Sequence, residues 1–287
     1  MRRGALLAVG AVAAWPFLEP QLPVLRRVRV PVLPPGRRPL VVLHLSDLHL
    51  LPRQRRRAAW VQRLARTAPD LVVSTGDHLS ALEALPLLTE VARAFDCPGA
   101  FVPGNNDYTL PTLPRPTGYL RPVPPAPRGA PLPWDVVAAG LGGAGWTDLT
   151  HRRVHLDGLD LTLTGTDDGH LRRDRYDTAW GPVDGLALGV THTPQSRLLG
   201  AFAADGHALV LAGHTHGGQL RLPGLGPLLT NCDLPRARAR GLTRDARGWL
   251  HVSAGLGTSP YAPVRVCCRP EATLLTLVTA AQPLPAR

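Results

Sequence analysis

The sequence of 287 residues predicts an α/β fold in which two packed sheets are flanked by helices. Two observations predict it. Apolar runs of strand length alternate with amphipathic helical stretches over the first hundred residues, as in βαβ units built around a largely parallel sheet. Further apolar runs of strand length follow in the second half of the chain. At 44% hydrophobic residues, the chain can bury a substantial core.

The predicted elements follow in order along the chain. Residues 40–45 predict the first buried strand and residues 53–67 an amphipathic helix. Residues 71–73 and 100–102 predict the next two strands, with a helix over residues 81–95 between them. The later elements are a short helix at 135–141 and strands at 159–164, 186–190, 208–211, 250–253 and 273–278. The strand at 159–164 alternates between apolar and polar residues, as a half-exposed strand does.

The domain is expected to span residues 40–287, preceded by an N-terminal segment of residues 1–39. Residues 4–18 are apolar behind two arginines, but this run is shorter than the roughly 20 residues that span a bilayer. It resembles a signal-peptide core or a short membrane anchor, with a helix packed on the domain as the alternative. Prolines make residues 31–39 a stiff lead-in, and prolines also predict a long loop over residues 110–134. More arginines follow the apolar run than precede it, which favours a membrane-associated protein with a cytoplasmic domain.

The formal net charge of +11 raises the question of a nucleic-acid partner. All basic residues are arginine, however, and both lysine and isoleucine are absent, which is typical of a GC-rich genome. No basic stripe is interleaved with aromatic residues, so nucleic acid is not the expected partner. The charge suits an anionic substrate or an acidic membrane face instead. Four cysteines without CxxC spacing exclude a zinc ribbon and a dense disulfide framework.

Side chains of metal-binding type follow the predicted strands at five points. They are Asp47 with His49, Asp77, Asn105, His192, and His214 with His216. Side chains two residues apart share a face of a strand, so each pair can converge on one ion. Imidazoles mixed with carboxylates suit Mn, Fe or Zn better than Ca. Seven ligands are too many for one ion and fit two ions that share an oxygen. Such a two-metal site supplies a hydroxide and stabilises the attacking and leaving oxygens in a displacement at phosphorus.

The order DxH, GD, GNxD, H and GHxH resembles the calcineurin-like metallophosphoesterase family from about residue 40 to residue 216. The Gly-Gly-Gln that follows resembles its bacterial, often membrane-associated branch. The resemblance implies a four-layer α/β/β/α sandwich with two divalent metal ions. It also implies that one ion is held by Asp47, His49, Asp77 and His216, and the other by Asp77, Asn105, His192 and His214. The neighbouring Asn106 offers the same amide and is the alternative to Asn105.

Two positions depart from the family pattern. Ser80 stands where the family has the second Asp of GDxxD, and Asn106 stands where it has a histidine that acts as general acid. An amide cannot exchange protons near neutral pH, so Asn106 is expected to hydrogen-bond a phosphoryl oxygen instead. Either the leaving group is already good, or His78 or His170 donates the proton.

The expected function is hydrolysis of a phosphomonoester, phosphodiester or pyrophosphate. The substrate would be a phosphorylated small molecule or a lipid-linked phosphate, and the N-terminal segment would place the enzyme at a membrane surface. The alternative from another class is a metal-binding scaffold that keeps the fold without catalysis. Turnover of an activated phosphoester discriminates between the two.

Overall fold

The computed structural model describes residues 14–113, 129–176 and 180–279. These residues form fourteen strands. They are β1 (Val24–Leu33), β2 (Leu40–Leu45), β3 (Leu71–Thr75), β4 (Gly99–Val102), β5 (Trp146–Asp148), β6 (Arg152–Leu156), β7 (Leu161–Gly165), β8 (Ala187–Val190), β9 (Leu209–Ala212), β10 (Arg221–Leu222), β11 (Gly226–Pro227), β12 (Gly241–Asp245), β13 (Gly248–Val252) and β14 (Glu271–Thr279).

The strands form two six-stranded sheets and one small hairpin. Sheet one has the order β1-β14-β2-β3-β4-β5, in which β2 to β5 are parallel and β14 runs antiparallel to β2. Sheet two has the order β12-β13-β9-β8-β7-β6, in which β13, β9, β8 and β7 are parallel. The strands β10 and β11 pair only with each other. Parallel strands place all their carboxyl ends at one edge, which is where ligands bind in such sheets.

Helices cover the outer faces. They are α1 (Arg55–Gln62), α2 (Leu85–Ala92), α3 (Trp134–Gly142) and α4 (Ser196–Ala204), with a further short helix at residues 14–18. The helices α1 to α3 bury their apolar faces on sheet one, and α4 buries Leu198 and Phe202 on sheet two.

The core lies in three layers, which confirms the four-layer α/β/β/α sandwich. Alternate residues of β2 face opposite sides, as the pleat of a strand requires. Leu43 belongs to the cluster under the helices, whereas Val42 belongs to the cluster between the two sheets. The same inner cluster takes Leu163 and Leu188 from sheet two. The third cluster lies between sheet two and α4.

Two sequence-based expectations are wrong. The sheet begins at residue 24, before the boundary predicted at residue 40. Proline is rare inside strands, so Pro31 and its neighbours were not expected to form one. β1 is an edge strand, however, where a residue without an N–H is tolerated. The strand predicted to be half-exposed, β7, is buried throughout because it lies inside sheet two. Its polar residues, Thr162 and Thr164, are buried as well.

Part of the predicted N-terminal segment and of the predicted loop at 110–134 lies outside the described residues, at 1–13 and 114–128. Within the described part of the chain, no helix has the length and apolar character needed to cross a bilayer.

Candidate metal centre

The predicted ligands lie at the carboxyl ends of five parallel strands. Asp47 and His49 follow β2, Asp77 follows β3, and Asn105 follows β4. On the other sheet, His192 follows β8, and His214 and His216 follow β9. The two sheets therefore bring their ligands to one shared edge.

The backbone at these ligands is unusual. Asp47, His49, Asp77, His214 and His216 all adopt left-handed φ angles, between 45° and 68°. Such angles are uncommon for residues other than glycine, and they concentrate at functional sites. They turn the chain sharply as each strand ends, which directs the side chains toward one another.

Close packing requires glycine beside Asp77. Gly76 has a φ of 84°, and a Cβ there would lie 2.5 Å from the backbone nitrogen of Gly104. A Cβ on Gly104 would lie 2.3 Å from Oδ1 of Asp77. The two glycines let the loops after β3 and β4 approach each other, which places Asn105 near Asp77.

A first set of ligand atoms comes from Asp47, His49, Asp77 and His216, and these atoms all lie within 4.8 Å of one another. Nε2 of His49 is 3.3 Å from Oδ2 of Asp77. Nε2 of His216 is 3.5 Å from Oδ1 of Asp47. Donors that bind one ion at about 2.1 Å stand roughly 3 to 3.5 Å apart, so this set has the spacing of a metal site.

A second set of ligand atoms adjoins the first. Nε2 of His192 is 3.5 Å from Oδ1 of Asp77, 3.3 Å from Oδ1 of Asn105 and 3.3 Å from Nδ1 of His214. Oδ1 of Asn105 is in turn 3.1 Å from Nδ1 of His214. Asp77 contributes one oxygen to each set.

Hydrogen bonds fix the tautomers of two histidines. Nδ1–H of His192 donates to the carbonyl oxygen of Thr75 at 2.6 Å, which leaves Nε2 free. Nε2–H of His214 donates to the carbonyl oxygen of Asn231 at 3.1 Å, which leaves Nδ1 free. A carbonyl can only accept, so when either ring is neutral its unprotonated nitrogen is the one that faces the second set. Such outer hydrogen bonds are typical of metal-binding histidines.

Two buried polar atoms in the first set have no hydrogen-bond partner among the described residues. They are Oδ1 of Asp47 and Nε2 of His49. Burying an unpartnered polar atom is costly, and buried polar atoms are nearly always satisfied in folded proteins. Both atoms belong to the group whose donors converge within 4.8 Å, so a bound cation would satisfy them together.

A buried chain of hydrogen bonds ends on Asp47. It runs from His251 through His44, Thr75 and Ser46 to Oδ2 of Asp47. The hydroxyl of Thr75 donates to Ser46 at 2.8 Å, so Nε2–H of His44 must donate to Thr75 and Nδ1 of His44 must accept from His251. Burial lowers the pKa of His251 to about 4 and that of His44 well below its usual value, so both rings are neutral. Every bond points toward Asp47, and its other oxygen is left for the ion.

The charges in the centre depend on one another. Burial alone would raise the pKa of Asp77, but His192 and His49 hold it well below its usual range. Burial likewise opposes a charge on His192, yet Asp77, Asp47 and Asp168 raise its pKa to about 9. Without metal, a protonated His192 and an ionised Asp77 therefore compensate each other. A bound cation must displace that proton, because only neutral imidazole coordinates.

Arg265 is fully buried next to the ring of His216. Its guanidinium donates to the carbonyl oxygens of Ala254, Gly257 and Cys268 at 2.8, 2.7 and 3.1 Å. Nη2 also lies 3.4 Å from Nδ1 of His216. Burial first, and then the nearby His49 and Arg265, lower the pKa of His216 well below its usual value. The ring is therefore held in its neutral, metal-binding form.

Replacing Arg265 with methionine is expected to lower the free energy of unfolding by about 2–4 kcal/mol, since the carbonyls of residues 254, 255, 257 and 268 lose a charged donor. Urea denaturation measures the change. Arg265→Lys is the matched control: it keeps the charge but not the forked donors, so its loss should be smaller. Equal stability of Arg265→Met and the unchanged protein would contradict the role given to Arg265.

The predicted catalytic residues lie in three different environments. The side-chain amide of Asn106 donates to Oδ2 of Asp77 at 2.6 Å, so Asn105 rather than Asn106 faces the two histidines of the second set. His170 lies at the rim, with its ring centroid 4.7 Å from that of His214. His78 is fully buried, with Nδ1 2.9 Å from Asp107 and Nε2 3.0 Å from Ser74. That position excludes His78 as a proton donor in the centre, because both ring nitrogens are occupied in the interior.

Sequence reasoning gave no role to Asp107, although it belongs to the GNxD motif. Its buried carboxylate accepts the backbone N–H groups of Asp77, His78 and Gly104, each at 2.8 Å. It therefore connects the loop after β3 to the loop after β4 and fixes the backbone of Asp77. Ser80 is the other departure from the family pattern, and its Oγ lies 3.4 Å from Nδ1 of His49.

Comparison with known sequences adds family information to this geometry. The sequence profile of calcineurin-like phosphoesterases matches residues 40–218, which contain all seven predicted ligands. A relative from Bacillus subtilis (strain 168), the uncharacterized metallophosphoesterase YkuE, is 24% identical over 290 residues, covering 96% of this chain and 92% of the relative. Another protein of that organism, YpbG, is 26% identical over 245 residues, covering 82% of this chain and 84% of the relative.

A shorter match is closer in sequence. The phosphodiesterase YaeI of Escherichia coli (strain K12) is 37% identical over 91 residues, which is 32% of each chain.

Proposed function

Because the chain belongs to the calcineurin-like phosphoesterase family, we propose that it is a dimetal phosphoesterase that hydrolyses a phosphomonoester, phosphodiester or pyrophosphate. The family is metal-dependent, and Asp47, His49, Asp77 and His216 form a cluster that could hold an ion. The observation that carries the proposal is that Asp77 belongs to two adjoining sets of convergent ligand atoms.

The donor types fit divalent ions such as Mn, Fe or Zn, because imidazole nitrogens are mixed with carboxylate and amide oxygens. When bound, two such ions would polarise the phosphoryl group and lower the pKa of the attacking water. The protein's part is to hold the ligands in place before any ion arrives. Asp47 is oriented by Ser46, His192 by Thr75, and His214 by Asn231.

Protonation of the leaving group distinguishes this chain from the usual family pattern. The amide of Asn106 holds Asp77 and cannot donate a proton in the reaction. His170 is the remaining candidate at the rim, but burial lowers its pKa although Asp168 favours its charged form. We therefore propose substrates whose leaving group needs little protonation, namely phosphoanhydrides and aryl phosphoesters. The similarity to a protein named phosphodiesterase supports including diesters.

A substrate screen tests this proposal. The purified full chain with added Mn is expected to hydrolyse at least one of three compound classes: aryl phosphates, aryl phosphodiesters and nucleotide pyrophosphates. Metal bound without turnover of any of them would favour the non-catalytic scaffold.

Replacing Asn106 with histidine is expected to restore a proton donor at the family's usual position. We expect kcat/KM for alkyl phosphoesters to rise at least about tenfold, because general acid catalysis matters most for poor leaving groups. Rates on aryl phosphoesters should stay equal or fall. The comparison of kcat/KM on matched alkyl and aryl diesters measures the effect, with Asn106→Gln as the control that lacks a titratable proton. An equal loss of kcat/KM on the alkyl and the aryl diester would contradict this explanation.

A further inference from the structure

We propose that the hairpin at residues 220–229 docks on an anionic lipid bilayer and holds the opening of the metal centre at the membrane surface. The inference rests on the proposed phosphoesterase function and adds a partner for the same site. It also gives the predicted membrane association a location in the fold that is separate from residues 1–13.

The hairpin exposes an unusual amount of apolar surface. It contains β10 and β11, and five of its ten residues are exposed leucines: Leu220, Leu222, Leu225, Leu228 and Leu229. Leu225, at the tip, is 78% exposed. A contiguous exposed apolar surface on a folded protein usually marks a contact site rather than a free surface.

Both ends of the hairpin lead into segments of the metal centre. On one side, residues 217–219 connect it directly to His216. On the other, the carbonyl of Asn231 accepts the hydrogen bond that fixes His214. Gly218 allows the loop to close, because a Cβ there would lie 2.1 Å from Cβ of Pro227. The hairpin is therefore attached close to the metal centre at both of its ends.

A second apolar segment lies beside the base of the hairpin. Leu220 pairs with Val266 in a parallel bridge, and the neighbouring N–H of Arg265 donates to the carbonyl of Pro16 at 2.9 Å. Next to Pro16, Trp15 and Phe17 are exposed, Phe17 to 59%. Two apolar segments that are distant in sequence are thus joined through the backbone of residues 265 and 266.

Positive charge borders this face. The turn at Arg236–Arg238 packs against β11, and Arg236 and Arg269 are exposed. Exposed leucines and aromatic residues flanked by arginine suit an anionic bilayer surface. There the apolar side chains enter the interface and the arginines contact lipid phosphate groups. A second copy of this chain is less suitable, because a net charge of +11 on each copy would oppose the contact.

Vesicle sedimentation of the full chain tests the inference without any substrate, so its result stays interpretable even if the phosphoesterase proposal fails. The wild-type protein is expected to bind vesicles of phosphatidylglycerol and phosphatidylcholine, more weakly at high salt and more weakly on phosphatidylcholine alone. The double variant Leu225→Ser, Leu229→Ser should lower the partition coefficient on the order of tenfold or more, since two apolar side chains lose their burial in the interface.

The control is Val136→Ser on α3, which removes an apolar side chain that is 44% exposed, close to the 46% of Leu229. It should leave vesicle binding unchanged. Equal melting temperatures exclude misfolding of the double variant. Hydrogen exchange provides a second measurement, because vesicles should slow exchange in residues 220–229 and not in α3. Unchanged binding of the double variant, no binding by the wild-type protein, or protection of the hairpin by self-association without vesicles would each overturn the inference.

Discussion

Replacing Asp77 with alanine is expected to reduce kcat on an aryl phosphoester at least about a thousandfold and to remove both metal ions. Asp77 is the one carboxylate whose two oxygens face different ligand sets, Oδ2 toward His49 and Oδ1 toward His192. Its loss leaves His192 without the carboxylate that does most to raise the pKa of its ring. No other described carboxylate bridges the two sets.

The measurement is kcat at saturating Mn, together with metal content by plasma mass spectrometry. Asp77→Asn keeps the shape and removes the charge, so it should bind metal more weakly while remaining folded. Asp157→Ala is the control for removing an aspartate, because that side chain is fully exposed far from the ligands. Retained hydrolysis in Asp77→Ala with saturating metal would refute the bridging role.

The variant Asp107→Ala is expected to lower the free energy of unfolding by about 3–5 kcal/mol. The buried carboxylate accepts three backbone N–H groups at 2.8 Å and contacts Nδ1 of His78. Alanine leaves these donors buried without a partner, which costs far more than the hydrogen bonds are worth on the surface. Activity should fall as well, since the backbone of Asp77 is no longer fixed.

Urea denaturation of Asp107→Ala measures the loss, with Asp107→Asn as the conservative control. Asparagine keeps one acceptor oxygen, so its loss of stability should be intermediate. If Asp107→Ala unfolded at the same urea concentration as the wild-type protein, the hydrogen bonds of Asp107 to the two loops would not contribute to stability.

The sequence predicted the central strands well because their apolar runs end at residues with strong chemical signals. β2 occupies the predicted residues 40–45, and β3 and β4 extend the predicted strands by one or two residues. The ligands follow these strands, so Asp47 and Asp77 could be expected to lie close together without any knowledge of contacts.

What the sequence could not predict depends on contacts between distant residues. β1 carries three arginines and Pro31, and the proline is tolerated because β1 is an edge strand. His78 follows Asp77 in sequence, but its side chain turns into the core toward Asp107. The contact between His251 and His44 joins residues 207 positions apart, and no local pattern indicates it.

The buried Arg265 is a further case. Its sequence neighbours gave no reason to distinguish it from the many other arginines of this chain. Only the fold shows that the loop at residues 254–257 surrounds its guanidinium. An arginine that holds carbonyl oxygens inside a core cannot be recognised from composition, since solvated surface is the usual position of this residue type.

The proposed function depends above all on a centre that holds two ions. The metal content of the full chain, titrated with Mn after chelation and followed in parallel with hydrolysis of an aryl phosphodiester, tests that dependence. We expect two ions per chain at saturation, and activity that appears only as the second site fills. Hydrolysis by the metal-free protein, or full activity with a single ion per chain, would contradict the dimetal centre.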